Sequence, residues 1–118
     1  MRKILVVDDD EDLLEMVTLV FMSRGMRVSS LNKGSGFFEI IEKEKPDIII
    51  MDIYLGDADG RDLCRRYKES ANSRLLPVIL YSAGNIPPAS IEISLADDFL
   101  QKPFDIGFLM KRVNQLLN

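Results

Sequence analysis

Histidine is absent from this sequence of 118 residues, and cysteine occurs once, as Cys64. Without histidine the chain supplies neither the base of a Ser-His-Asp or Cys-His catalytic apparatus nor the imidazole ligands of a zinc site. A single cysteine also excludes an intrachain disulfide and a metal site built from several thiolates. The reactive groups that remain are carboxylates, hydroxyls, ammonium and guanidinium groups. Any bound metal is therefore expected to be a hard cation, such as Mg²⁺ or Ca²⁺.

Long hydrophobic runs and clusters of basic residues are missing as well. The apolar run that follows Lys3 ends at Val7, which is too short for a signal peptide, and no stretch reaches the length of a transmembrane helix. Nineteen acidic and fifteen basic residues give a net charge of −4, with no Lys/Arg run that would serve as a nucleic-acid or membrane patch. We therefore expect a cytoplasmic protein that contacts neither nucleic acid nor membrane directly.

The length and composition are those of one folded domain. Hydrophobic residues make up 47% of the chain and charged residues 29%, which is typical of a globular protein. No linker, internal repeat or low-complexity tract divides the sequence. We expect a single domain over residues 1–118.

Short apolar runs alternate with amphipathic stretches along the chain. The apolar runs predict five β-strands, at 4–7, 26–31, 47–52, 78–81 and 98–102. The amphipathic stretches predict a helix that is capped by Asp10 or Asp12 and ends at Gly25, then helices around 37–41, over 61–69, over one or two turns within 90–95, and over 105–117. This alternation predicts an α/β fold with a doubly wound parallel sheet, in which right-handed crossovers bring the carboxyl ends of all strands to one edge.

Reactive side chains stand where four of the five predicted strands end. Asp8 and Asp9 follow the first strand, and Asp52 ends the third. Ser82 follows the fourth strand, and Lys102 ends the fifth. Three carboxylates at one edge repel one another, and a divalent cation together with a lysine would compensate their charge. The same groups suit phosphoryl transfer, which requires a positioned nucleophile and positive charge near the phosphoryl oxygens.

This ordered set resembles the receiver domain of two-component response regulators over essentially the whole chain. The resemblance is carried by Asp8-Asp9, Asp52, Asp59-Gly60, Ser82-Ala83 and the stretches 96–99 and 102–104. It implies a flavodoxin-like receiver fold with a five-stranded sheet of order 2-1-3-4-5. It also implies a phosphohistidine donor, on a sensor histidine kinase or a histidine phosphotransfer protein, and a downstream protein target.

The resemblance implies an acceptor and a magnesium site. Asp52 would be the phospho-acceptor and, with Asp9, a direct ligand of Mg²⁺. Asp8 would act on the ion mainly through a bound water, and the backbone carbonyl of Tyr54 would be a further ligand. Mg²⁺ prefers an octahedron of oxygens and keeps several waters, so this partial set is chemically sufficient.

The resemblance also implies how a phosphoryl group would be sensed. Lys102 and the Ser82 hydroxyl would each contact a phosphoryl oxygen. Phe99 occupies the position of the aromatic residue on the fifth strand that turns inward when the hydroxyl moves. The surface that changes would be formed by the fourth helix, the fifth strand and the fifth helix. Homodimerisation through that surface on phosphorylation stays open.

The chain departs from the family pattern near the elements that move. Gly56 stands where the family usually has proline, and Leu95 where it often has glycine. The spacing between Ser82 and Lys102 is short and contains Pro87-Pro88. We therefore expect a short or irregular fourth helix.

Two positions that tune the lifetime of the acyl phosphate in the family are occupied here by Tyr54 and Gly84. Tyr54 is bulky enough to shield a phosphoryl group from water, while Gly84 offers no side chain to orient an attacking water. We expect slow self-dephosphorylation.

Two other functions use similar residues. A haloacid-dehalogenase-like phosphatase also has a strand-end aspartate nucleophile, a second aspartate two residues on, for which Asp8 and Asp10 would fit, and Mg²⁺. A pseudo-receiver would keep the fold as a binding module that is never phosphorylated. The short length disfavours the phosphatase and the complete acidic set disfavours the pseudo-receiver, so we do not expect a multiple-turnover enzyme. A stand-alone receiver and a part of a longer protein both fit the sequence.

Overall fold

The structure, a computed structural model, describes residues 1–70 and 75–118. Its strands are β1 Lys3–Val7, β2 Arg27–Leu31, β3 Ile48–Asp52, β4 Val78–Ser82 and β5 Asp98–Gln101. Its helices are α1 Glu11–Ser23, α2 Phe37–Glu44, α3 Gly60–Glu69, α4 Pro88–Ser94 and α5 Ile106–Leu117. Strands and helices alternate in the predicted order, and the predicted strand ends differ from the observed ones by no more than one residue.

The five strands form one parallel sheet in the order β2-β1-β3-β4-β5. This confirms the predicted fold class and strand order. Because the order changes direction between β1 and β3, the loops after these two strands diverge and leave a crevice at the carboxyl edge of the sheet.

Helices cover both faces of the sheet, which explains the continuous apolar runs of the central strands. One face packs against α1 and α5, mainly through Leu14, Phe21, Leu109 and Val113. The other face packs against α2, α3 and α4, and its core contains Cys64. Burial raises the pKa of the Cys64 thiol to about 12, so this residue packs as a small apolar side chain.

Aspartates begin three of the helices at the carboxyl edge. Of the two candidates for α1, Asp10 is the cap, and its carboxylate accepts hydrogen bonds from the backbone N–H groups of Asp12 and Leu13. Asp59 caps α3 and Asp105 caps α5 in the same way. These caps satisfy free N–H groups of the first helical turn and fix the loops that lead out of β1, β3 and β5. Among the described residues, no helix is long and apolar enough to cross a membrane.

The fourth helix is short, as predicted. It has seven residues, about two turns, begins with Pro88 and lacks a side-chain cap at its start. Leu95 follows it in the left-handed region, at φ 66°, where its N–H bonds to the carbonyl of Glu92. Glycine adopts this conformation without steric cost, which accounts for the glycine often found at this position in the family that the sequence resembles.

Replacement of Leu95 by glycine is expected to stabilise the fold. Leu95 is 47% exposed, so the substitution loses little packing while it relieves the left-handed strain. We expect Leu95→Gly to raise the free energy of unfolding by about 0.5–1 kcal/mol, measured by urea denaturation. Arg24→Gly is the matched control, because Arg24 ends α1 at φ −98° and carries no such strain. Equal effects of the two substitutions would contradict the argument.

Candidate functional site

Three carboxylates meet in the crevice at the carboxyl edge. Asp8 and Asp9 follow β1, Asp52 ends β3, and one carboxylate oxygen from each lies within 4.8 Å of the others. Asp8 is fully buried and Asp52 is 7% exposed, whereas Asp9 is exposed. The convergence of these three residues that the sequence predicts is confirmed. Their oxygens are able to bind a hard metal ion.

Lys102 is the one cation that the described part of the chain places within 4 Å of these acids. Its Nζ atom lies 3.0 Å from Asp52 Oδ2 and 3.6 Å from Asp8 Oδ2. Asp52 Oδ1 accepts a hydrogen bond of 3.0 Å from the backbone N–H of Tyr54. Burial nevertheless raises the pKa of Asp52 above its usual range, against the opposing hydrogen bond from Lys102. Three carboxylates thus stand beside one ammonium group, and a bound cation would reduce their mutual repulsion.

The loop after β3 is held close beneath Asp52. Gly60 begins α3 against the backbone carbonyl of Asp52, and a Cβ atom at position 60 would collide with that oxygen. The backbone N–H of Gly60 donates to the carbonyl of Ile53 over 2.6 Å. The Asp59-Gly60 pair thus combines a helix cap with the residue that allows α3 to approach the strand.

Gly56 gives this loop a conformation that proline cannot adopt. Its φ is 82°, in the left-handed region, whereas proline is restricted to φ near −65°. A Cβ atom at this position would lie 3.5 Å from Asp9 Oδ2. The glycine therefore places backbone without a side chain beside Asp9, and the departure from the family pattern changes the local path of the chain.

Ser82 and Lys102 are adjacent at the ends of β4 and β5. The backbone N–H of Lys102 donates to the carbonyl of Ser82 over 2.8 Å. The Ser82 side chain is buried and accepts a hydrogen bond of 3.4 Å from the N–H of Gly84. Ser82 also immediately follows Tyr81, the residue that pairs with Asp52 across the sheet. The Ser82 hydroxyl and the Lys102 ammonium group thus lie at the same carboxyl edge of the sheet, as predicted.

Phe99 is partly buried on β5. It lies across from Leu80 and packs against the core on the face of α2, α3 and α4. Beside it, Asp98 forms an ion pair with Arg112 of α5. Phe99 therefore belongs to the surface that the sequence singled out, between α4 and α5.

Tyr54 lies between the loop after β3 and the loop after β4. Its ring is within ordinary contact of the position that a Cβ atom would take at Gly84, 3.6 Å away. The guanidinium carbon of Arg61 lies 5.7 Å from the ring centroid. Tyr54 is 53% exposed, so the ring stands beside the site and partly in solvent.

Two residues of the site were missed from the sequence. Tyr81 is buried on β4, and its hydroxyl donates a hydrogen bond to Asp8. Arg61 binds the carboxylate of Asp59 through two hydrogen bonds and donates a third to Ser90 Oγ over 3.1 Å, which ties α3 to α4. For Tyr81 the sequence did hold a signal, a tyrosine within an otherwise aliphatic buried strand, because a buried hydroxyl requires a partner.

Removal of Asp9 is expected to separate metal binding from folding. The exposed Asp9 carboxylate has no ion pair within the described residues, so Asp9→Asn should leave the urea midpoint nearly unchanged. We expect it to weaken Mg²⁺ binding roughly tenfold or more by isothermal titration calorimetry, since one of the three carboxylates that could hold the ion is lost. Asp12→Asn, an exposed acid on α1, is the control and should bind like the wild type.

The pH dependence of Mg²⁺ binding has a definite sign. Because the pKa of Asp52 is raised, this carboxylate takes up a proton at a higher pH than an ordinary aspartate and then competes with the cation. Mg²⁺ affinity should therefore fall as the pH is lowered, beginning at a higher pH than an ordinary aspartate would give. An affinity that does not fall with pH in this way would show that the Asp52 carboxylate takes no part in binding the ion.

Comparison with known proteins gives consistent results. Residues 4–114 match the response regulator receiver domain family. The chain is 34% identical to the transcriptional regulatory protein GltR of Pseudomonas aeruginosa and 30% identical to the DNA-binding response regulator MtrA of Mycolicibacterium smegmatis. Each match covers 98% of this chain, but 49% and 50% of the relatives, so the chain spans about half of their length.

The fold comparison agrees with this. The BeF3-activated N-terminal receiver domain of RstA from Klebsiella pneumoniae superposes with a TM-score of 0.88, at 27% identity, and 99% of both chains is covered. Its identity is low, but the likeness extends over the whole fold, including the edge where the acids lie. Together with the family match over residues 4–114, these findings show that the chain belongs to the response regulator receiver domains of two-component systems.

Proposed function

We propose that this chain accepts a phosphoryl group on Asp52 from a phosphohistidine and transmits the change through α4, β5 and α5. The observation that carries the proposal is the position of Asp52. Its carboxylate is nearly buried, is 3.0 Å from Lys102 Nζ, and shares a crevice with two further acids within 4.8 Å. An ordinary surface aspartate has neither the lysine nor the paired acids.

The donor set fits Mg²⁺, because it consists of carboxylate oxygens at an edge that water reaches through Asp9. Asp9 and Asp52 would hold the ion directly, Asp8 through a water, and the backbone carbonyl of Tyr54 would complete the protein ligands. When bound, Mg²⁺ supplies positive charge that draws the acids together and neutralises the phosphoryl oxygens.

The transfer requires little covalent chemistry from the protein. A carboxylate oxygen of Asp52 forms the bond to phosphorus as the bond between phosphorus and the donor's imidazole nitrogen breaks. The electron pair of that bond stays on the nitrogen, and the donor ring, which carries a proton on its other nitrogen, leaves as neutral histidine. Lys102 exchanges its contact with the carboxylate for a phosphoryl oxygen. The Ser82 hydroxyl donates to another of these oxygens. The donor histidine comes from a sensor kinase or a phosphotransfer protein, since this chain contains none.

The proposed output follows from the position of Ser82 and Phe99. Phosphorylation adds negative charge and acceptor oxygens at Asp52, and the Ser82 hydroxyl turns towards them. Phe99 then moves deeper into the space that the Ser82 hydroxyl leaves, on the face of the sheet where Phe99 packs. Its apolar ring needs no polar partner there. The resulting shift of a pre-existing equilibrium changes the α4–β5–α5 surface, where a downstream protein or a second copy of this chain docks.

The phosphatase alternative is disfavoured by the position of Asp10. That function would need a free acid two residues after Asp8. The Asp10 carboxylate instead accepts two backbone hydrogen bonds at the start of α1, of 3.1 and 3.2 Å. We therefore propose a phospho-acceptor without multiple turnover on external substrates.

We propose that residues 1–118 form a single receiver domain of a cytoplasmic signalling protein. The expectation of no contact with nucleic acid is not supported by the relatives, since MtrA is described as DNA-binding and GltR as a transcriptional regulator. Because the chain spans about half of each, we propose protein contacts as the output of these residues alone.

Mass spectrometry of the intact protein tests the acceptor. After incubation with acetyl phosphate and Mg²⁺, the wild type should gain one phosphoryl group and Asp52→Ala none. Asp12→Asn controls for the loss of an acid elsewhere and should gain the group like the wild type. A wild type that gains nothing, or an Asp52→Ala variant that gains the group equally, would overturn the proposal.

The lifetime of the acyl phosphate tests the role of Tyr54. Its ring lies against Gly84 beside the acceptor, so its removal admits water, and we expect Tyr54→Ala to lose phosphate roughly threefold faster or more. Tyr54→Phe keeps the ring and should behave like the wild type. Equal rates of phosphate release for Tyr54→Ala and the wild type would show that the ring does not shield the group.

A further inference from the structure

One buried tyrosine, Tyr81, contacts both an acid and the lysine of the site. Tyr81 is 1% exposed, and its hydroxyl donates to Asp8 Oδ2. Lys102 Nζ lies 4.7 Å from the centroid of the same ring. The side chain thus reaches from β4 to the end of β1 and to the residue that follows β5.

Tyr81 is held rigidly in this position. Its backbone pairs with Asp52 on one side and with Leu100 on the other, in the middle of the parallel sheet. Its carbonyl accepts a hydrogen bond of 3.0 Å from the N–H of Ile53. Its ring packs edge-on against Phe104, with 5.5 Å between centroids. Neither the strand nor the ring is free to follow a movement of Asp8.

Asp8 would compete with Asp52 for the lysine if it had no other donor. It is the more deeply buried of the two acids, and its Oδ2 atom is 3.6 Å from Lys102 Nζ. The Asp8 carboxylate receives one hydrogen bond at Oδ1, from the N–H of Asp10 over 2.9 Å, and the Tyr81 hydroxyl supplies the one at Oδ2. With both oxygens occupied, Asp8 needs no closer contact with the ammonium group.

We propose that Tyr81 is a positioning residue, whose hydroxyl satisfies Asp8 so that Lys102 remains on Asp52. The consequence for phosphoryl transfer rests on the function proposed for Asp52. The consequence for metal binding does not. Without the hydroxyl, Asp8 Oδ2 keeps Lys102 Nζ as a donor 3.6 Å away, and the ammonium group moves from Asp52 to Asp8. It then stands away from the acceptor, and Asp8 has lost the hydrogen bond that fixes its carboxylate for the cation.

Burial, and secondarily the charge of Asp8, raise the pKa of Tyr81 far above its ordinary value, so the hydroxyl keeps the proton that it donates.

Tyr81→Phe removes the hydroxyl and keeps the ring. We expect Mg²⁺ binding, measured by calorimetry on the unphosphorylated protein, to weaken roughly threefold to tenfold, the factor that corresponds to the net contribution of one ordinary hydrogen bond. The rate of phosphorylation by acetyl phosphate at saturating Mg²⁺ should fall as well, because Lys102 no longer starts at the acceptor.

Tyr67→Phe is the matched control. Tyr67 also has a buried hydroxyl, which accepts a hydrogen bond of 2.8 Å from the N–H of Leu76. Neither residue contacts Asp8, Asp9 or Asp52 through this bond. Its loss should lower the urea midpoint and leave both Mg²⁺ affinity and the saturated rate unchanged. A structural role alone for Tyr81 would give this same result, so agreement between the two variants would overturn the proposal.

A double-mutant cycle tests the contact with Asp8 directly. In the Asp8→Ala background the hydroxyl has lost its acceptor, so adding Tyr81→Phe should not lower the urea midpoint of the metal-free protein and should leave the remaining Mg²⁺ affinity unchanged. Additive effects would overturn the proposal, as would tighter Mg²⁺ binding by Tyr81→Phe alone. If wild-type Asp52 accepted no phosphate, the proposed function would fail, while the Mg²⁺ and unfolding measurements would still decide the role of Tyr81.

Discussion

The structure depends on the burial of negative charge at one edge of a parallel sheet. Asp8 follows β1 and Asp52 ends the neighbouring strand β3, while Asp9 stands beside them in solvent. Burial raises the pKa of Asp52 even with Lys102 in contact. A cation bound by these carboxylates would reduce the repulsion between them. The glycine at position 60, the cap at Asp59 and the tyrosine on β4 all serve to hold these charges at fixed distances.

Much of this arrangement could be predicted from the sequence, because the strands are covered on both faces. Continuous apolar runs such as 48–51 mark central strands, and the polar residue that ends each run falls at the carboxyl edge. The convergence of Asp8, Asp9, Asp52 and Lys102 followed from that pattern, whereas the strand order followed from the resemblance to the family. The shortness of α4 followed from Pro87-Pro88, which delay the start of the helix.

The contacts that the sequence did not reveal are those that join distant residues through side chains. The bond from Tyr81 to Asp8 spans 73 positions, and that from Arg61 to Ser90 spans 29. No local pattern specifies such pairs. At Gly56 the structure shows a defined left-handed residue that brings the loop beside Asp9, which the absence of the usual proline did not reveal.

The shortness of α4 has a consequence for how signals are exchanged. An isolated helix below about 12 residues is marginal in water, and α4 has seven residues and no side-chain cap at its start. Its order is therefore supplied by its neighbours, through the bond from Arg61 to Ser90 and the packing of Ile91 on the sheet. A partner that binds only the ordered form of α4 would contribute to the free energy that orders this helix. By the reciprocity of linked equilibria, that partner would then also favour the state of the acidic site in which α4 is ordered.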